Sequence, residues 1–244
     1  MKFIICFCFF CAQIFAQNKL TEVTYKSILN LETLPKKVAE KYNKSQQEAL
    51  ISKYNNYNLL TYTLQYNINE SLFFLSDSII GLYHDVDDNS LQKIIRIESK
   101  HKYYKNLSEN KSIHENNMGG EKLLITGRFN KFEWKLYKEK KQIGEYVCYK
   151  AILTDGQELL GYNKDMVIEA WYAPELPVPF GPFEFEGLPG LILELKLGVK
   201  LYYATSIKFK TSNKILPLTH GKVITQEAYS TFLWDFKEKM FNSH

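Results

Sequence analysis

A chain of 244 residues is long enough to bury a core without cross-links, and 45% hydrophobic residues with 15% aromatics exclude a disordered one. The formal charge of +4 comes with no dense Lys/Arg block, which excludes a nucleic-acid arm. Lys138, Lys140 and Lys141 form the densest cluster and, beside Glu139, read as a solvated hairpin end.

The N-terminus has a basic start at Lys2, a short apolar run from Phe3 to Phe10, and Ile14-Phe15-Ala16 before Gln17. That order describes a secretory signal cleaved after Ala16, leaving residues 17–244 as one domain. The run is too short to span a bilayer, and no later stretch is apolar enough to anchor the mature protein. Cleavage removes Cys6, Cys8 and Cys11; Cys8-Phe9-Phe10 lacks the small residues a lipoprotein signal needs before Cys11. Cys148 then stands alone, so no internal disulfide can form.

Residues 19–29 are rich in β-formers and open the predicted sheet. From Lys36 to Lys53, Val38, Tyr42, Ala49 and Ile51 recur with a helical period behind Pro35, predicting a helix. Leu60, Tyr62, Leu64, Tyr66 and Ile68 alternate with polar residues as in a half-buried strand, with Ser71–Asp77 its hairpin partner. His84–Ser90 reads as an acidic loop, because the glycine and distant glutamate of a calcium loop are missing. Strands are predicted at Ile94–Glu98, Lys102–Lys105 and Lys122–Arg128, with Asn116–Gly120 in a connection. Phe132–Tyr137, Gln142–Thr154 and Asp165–Ala173 predict a meander, and Leu201–Lys210 a further strand. Behind a Thr225 cap, Tyr229, Phe232, Leu233, Phe236 and Met240 follow the i, i+3, i+4, i+7 spacing of an amphipathic helix.

The stretch from Pro174 to Leu197 organises the rest. Five of the seven prolines lie between Pro174 and Pro189, and Gly181, Gly187 and Gly190 share that window. Proline fixes φ and removes a donor while glycine opens positive φ, so the chain is driven into turns and then released into Leu191, Leu193, Leu195 and Leu197. Four leucines on one buried strand face supply roughly 6–12 kcal/mol of gross hydrophobic stabilisation, which accounts for the motif structurally. A sharper reading runs Pro174–Pro182 as a polyproline-like strap, with Trp171, Phe180, Phe183 and Phe185 lining a pocket for an apolar or peptidic ligand.

Trp171-Tyr172, Pro174–Pro177, Gly181-Pro182-Phe183 and the hexapeptide Gly187-Leu188-Pro189-Gly190-Leu191-Ile192 resemble the GLPGLI family of exported Gram-negative envelope proteins. Tyr146–Ala151 is similar to that family's cysteine-bearing strand, and Trp134 to its preceding tryptophan. The resemblance implies export to the periplasm or outer membrane and a β-rich fold, and carries no activity with it.

Glu184 and Glu186 alternate with Phe183 and Phe185, the pattern of a strand with one wet face rather than an acid/base pair. Cys148 with Lys150 two residues on is a candidate reactive thiol, set against the frequent burial of free cysteine. His84, His101, His114, His220 and His244 form no i, i+4 pair, and nucleophile-elbow, phosphate-loop and dinucleotide motifs are absent. Neither a metal nor a cofactor is therefore expected. The expected fold is mostly β: a curved antiparallel sheet or open barrel, one helix near the mature N-terminus and one at the C-terminus. The expected role is non-enzymatic binding between sheet and strap. A Cys148-dependent enzyme and an assembly partner of an outer-membrane complex are the alternatives.

Overall fold

The alternating stretches fold as strands. The computed structural model describes residues 20–29, 43–46, 56–82, 89–118, 120–129, 132–162, 166–210 and 214–242. Among them are β1 (Leu20–Leu29), β2 (Thr61–Tyr66), β3 (Glu70–Leu75), β4 (Lys102–Asn106), β5 (Lys111–Met118) and β6 (Glu121–Arg128). Then come β7 (Glu133–Ile143), β8 (Tyr146–Asp155), β9 (Ile168–Ala173), β10 (Leu191–Leu197), β11 (Lys200–Lys210) and β12 (Lys222–Thr225). Helices among the described residues include α1 (Asp77–Leu82), α2 (Asn89–Glu98) and α3 (Gln226–Asn242). All twelve strands form one open sheet in the order β12-β6-β5-β4-β3-β2-β1-β11-β10-β9-β8-β7, antiparallel except for the β12–β6 pair.

Strand register carries one face across the sheet. Tyr62, Leu64 and Tyr66 stand opposite Tyr25, Val23 and Thr21 on β1, and opposite Leu75, Phe73 and Ser71 on β3. The same face continues through Tyr103 and Lys105 on β4 to His114 and Ser112 on β5. In the other direction it runs through Tyr202, Leu195, Ala170 and Ala151. Residues 174–190, the strap between β9 and β10, pack onto this face through their phenylalanines. A smaller core of Leu20, Tyr104, Ile113, Leu124 and Ile215 lies apart from the main one.

Several local expectations are corrected. Ile94–Glu98 is the end of helix α2, not a strand: Leu91, Ile94 and Ile95 are buried at helical spacing while Lys93 and Arg96 are exposed. A five-residue window cannot separate period 2 from period 3.6. Asn116–Met118 belong to β5, whose polar side chains are buried rather than looped out. Lys138, Lys140 and Lys141 lie inside β7, and the hairpin turns at Gly144-Glu145 instead, with Gly144 at φ 59°. On α3, Thr225 Oγ1 accepts from Ala228 N as a cap should, but Phe232 is 47% exposed and lies off the buried stripe. The signal segment 1–16, all but four residues of the predicted helix 36–53, and Asp85, Asp87 and Asp88 fall outside the described residues; residues 44–46 are helical as expected, while Asn89 and Ser90 open α2 rather than continue the acidic loop.

The leucine strand is buried as expected: Leu191, Leu193, Leu195 and Leu197 are at most 7% exposed. They do not share one face, however. Pairing with β9 shifts between Ile192 and Glu194, so Leu193 is bulged out and Ile192 takes the face of Leu195. Such a bulge bends a strand and re-aims its side chains.

Gly190 closes the strap against β9. A Cβ there would stand 2.3 Å from the Ala173 carbonyl oxygen, which is backbone and cannot swing aside. Gly144 has open space around it and needs only its positive φ. Gly144→Ala should therefore cost about 1 kcal/mol, and Gly190→Ala about 2 kcal/mol or more. Thermal denaturation followed by circular dichroism should rank them in that order, and equal midpoints would show that the strap gives way freely.

Candidate functional site

The strap is a buried loop, so its backbone polar groups need partners inside the protein. Part of that need is met locally. Gly187 N donates to Pro179 O, Ile192 N to Phe180 O and Leu191 N to Leu176 O. Within the expected strap Pro174–Pro182, Leu176 N donates to Ala173 O and Val178 N to Leu176 O, so its start is a turn rather than a polyproline strand, and after it Phe183 at φ 55° and Gly187 at φ 87° fold the chain back. Two further strap carbonyls, and that of Ile192 at the start of β10, are capped by side chains from distant strands. Lys105 Nζ of β4 donates to Phe185 O at 2.8 Å, and Trp134 Nε1 of β7 to Glu186 O at 2.8 Å. Tyr25 of β1 donates its hydroxyl to Ile192 O at 2.6 Å. Burial pushes the Tyr25 phenol well above its ordinary range, so it remains a donor. Lys105 and Glu186, both almost sealed from solvent, also stand 3.9 Å apart as an ion pair.

The phenylalanines dock the strap. Phe180 is fully buried against Tyr66 and Phe129, and Phe185 against Phe132, Trp134 and Tyr162. Phe183, half-buried, meets the rings of Tyr62, Phe73, Tyr103 and Tyr202 at centroid distances of 4.7–5.7 Å. Its left-handed backbone turns the next residue, Glu184, toward His114, whose Nδ1 lies 3.2 Å from Glu184 Oε1. His114 Nε2 in turn faces His101 Nδ1 at 2.9 Å, and the Tyr103 ring stacks on His114 at 4.3 Å. Burial, followed by the neighbouring His114, pushes His101 down to about 4, so it is neutral at neutral pH. Glu98 accepts from the Tyr62 hydroxyl, and burial raises its pKa.

The histidine pair is invisible in the spacing of the histidines. It is made by the β4–β5 hairpin, whose register sets Tyr103 opposite His114. His101 immediately precedes β4 and His114 lies on β5, so an accurate strand assignment for the polar β5 would have brought them together.

Trp171 does not join the phenylalanines. Alternation along β9 turns it away from Ala170 and Tyr172, and there Lys141 lies 4.4 Å over its ring while its indole N–H donates to Glu169. Lys141 also pairs with Glu194. Cys148 sits opposite Lys141, fully buried, and burial pushes its thiol up to about 11 despite the nearby ammonium. Lys150 pairs instead with Glu139 and Glu169.

The hexapeptide and its flank serve the loop's geometry. A Cβ at Gly181 would meet Ile192 Cδ1 at 2.6 Å, and Leu188, Leu191 and Ile192 are buried while Pro189 is exposed. Where the strap leaves β9, an open hollow of about 250 Å³ is lined by Val147, Tyr149, Tyr172, Pro174 and Glu175.

A family model described as a protein of unknown function (Porph_ging) matches residues 155–194, the span that holds β9, the strap and the hexapeptide. No curated protein matches the chain. Two crystal forms of PNGF-II, in the P21 and C2 space groups, are similar with TM-scores of 0.54 at 19% and 18% identity. Each likeness covers 88% of this chain and 33% of PNGF-II, so the chain spans about a third of that protein's length. At such identity the likeness shows the fold alone. An uncharacterized conserved protein from Thermus thermophilus is more distant, with a TM-score of 0.37 and 6% identity over 87% of this chain and 93% of that one.

Two outcomes are expected at this site. Lys105→Ala uncaps Phe185 O and removes the ammonium paired with the buried Glu186 carboxylate, and should cost about 3–5 kcal/mol. Adding Glu186→Gln should recover part of that loss in urea denaturation; strict additivity would show that the two side chains do not interact. Cys148 in the native protein should resist N-ethylmaleimide at pH 7 and react once urea is added. Native labelling at the rate of a free thiol would contradict its burial.

Proposed function

We propose that the chain is exported by its N-terminal segment, belongs with the GLPGLI-type envelope proteins, and acts there as a non-catalytic binding or accessory protein. Its ligand, apolar or peptidic, lies in the hollow between the sheet and the start of the strap. The observation that carries this reading is the hollow itself. Tyr149 and Tyr172 place their rings 6.2 Å apart, Val147 and Pro174 add apolar surface, and exposed Glu175 supplies one acceptor. Few polar groups on a mostly apolar concave wall is the composition of a small-molecule or side-chain subsite. The phenylalanines first expected to line a pocket serve it indirectly, by fixing the strap that forms one wall.

The high thiol pKa of Cys148 weakens a thiol-enzyme reading. Assembly through a sheet edge is disfavoured at β7, where exposed lysines and a bulge between Leu136 and Lys140 blunt the edge against strand addition. Native mass spectrometry of the protein purified from its own envelope checks the binding reading. The wild type should carry a bound mass that Val147→Arg, which fills the hollow from an exposed position, loses. No adduct on either protein, or the same adduct on both, would overturn it.

A further inference from the structure

We propose that the free edge of β11, from Ser206 to Lys210, takes up an extended peptide as an added strand, apolar at the positions facing the core and acidic at those facing solvent. The inference goes beyond the binding reading above and does not rest on it: the hollows involved share no lining residue, and each can fail alone.

β11 pairs with β1 along its whole length, from Leu29 opposite Lys200 to Leu20 opposite Lys210, but with β10 only from Lys200 to Tyr203. The sheet is therefore split between β10 and β11 beyond Tyr203. The strap is the cause. Ile192 N donates to Phe180 O and Ile192 O accepts from Tyr25, so neither backbone group of that residue is left for β11. The bulge at Leu193 breaks register at the same point. In an antiparallel ladder, alternate residues direct their N–H and C=O groups to opposite sides. Those of Ser206–Lys210 that point away from β1 have no backbone partner among the described residues. Such a row fits an extended chain, because a strand presents donors and acceptors at the same spacing.

Side chains along the edge decide what that strand carries. Register with Val23 and Thr21 puts Ile207 and Phe209 on the inner face, where Phe209 is 65% exposed. Ile207 joins Ala204, Leu193, Ile143 and Tyr146 around a hollow of about 180 Å³ where the split opens. Alternate side chains of an added strand would lie over Phe209 and enter this hollow. On the outer face Lys208 stands opposite Glu22, which also accepts from Lys210 at 2.6 Å. Two lysines against one carboxylate leave a positive charge for an acidic residue of the incoming strand to pair. The edge of β7 differs: Lys135, Lys138 and Lys140 are all exposed along it, and they blunt it.

The test uses the purified full chain and a fluorescein-labelled, capped heptapeptide alternating valine with glutamate, followed by fluorescence anisotropy. Saturable one-to-one binding is expected, and the same peptide with lysine in place of glutamate should bind about fivefold more weakly. Lys208→Glu, at an exposed position, should reverse that preference. Val147→Arg, which fills the other hollow, should leave uptake unchanged. Hydrogen exchange read by mass spectrometry should slow in Ser206–Lys210 on peptide addition and stay as it was in β7 and β12. No saturable binding, equal affinity for both peptides in wild type and Lys208→Glu, protection confined to β7 or β12, or self-association through this edge in place of peptide uptake would overturn the proposal.

Discussion

The structure depends on satisfying the backbone of a loop placed where loops seldom go. Connecting segments normally run over the surface because buried N–H and C=O groups must find partners. Here the loop carbonyls of Phe185 and Glu186, and that of Ile192 where the loop enters β10, find them on Lys105, Trp134 and Tyr25, from three strands far apart in sequence. A net gain of about 1 kcal/mol per hydrogen bond understates their importance, since an unmade one would cost the full desolvation of a buried carbonyl. The strap and the sheet therefore specify each other: without β1, β4 and β7 in register the loop has no place, and without the loop those donors have no acceptors.

That mutual dependence explains the strain stored at Phe183. A bulky residue at positive φ costs about 1 kcal/mol or more, and it persists only where the surroundings over-determine it. Four aromatic rings around Phe183 and buried Phe180 and Phe185 on either side do so. One consequence is chemical. The reversal at Phe183 brings Glu184 to the histidines of the β4–β5 hairpin, while Glu186, two residues on, reaches Lys105. Alternation of charged and aromatic residues suggests a strand with a solvated face; the turn sends both carboxylates to cations or imidazoles of the sheet instead.

The family match and the fold likeness bear on different parts of this picture. The match over 155–194 covers β9, the strap and the start of β10. The likeness to PNGF-II extends over 88% of the chain at 19% identity and bears on the fold alone. A shared sheet says little about chemistry, which lies in side chains grafted onto it.

Strand-forming stretches, the C-terminal helix cap, the buried leucines and the turn-rich strap are legible in the sequence, because each depends on spacing within a few residues. Ile94–Glu98 reads wrongly as a strand and the polar strand β5 escapes notice, since short runs and buried polar side chains carry no clear period. The bulge at Leu193, the outward turn of Trp171, the pairing of His101 with His114 and the carbonyl caps are decided only in three dimensions. The histidine pair follows from the register of one hairpin and the turn of Trp171 from alternation along β9, whereas the carbonyl caps join residues 52 to 167 positions apart. Register is set by the whole sheet closing on its core, a long-range constraint that no local pattern contains.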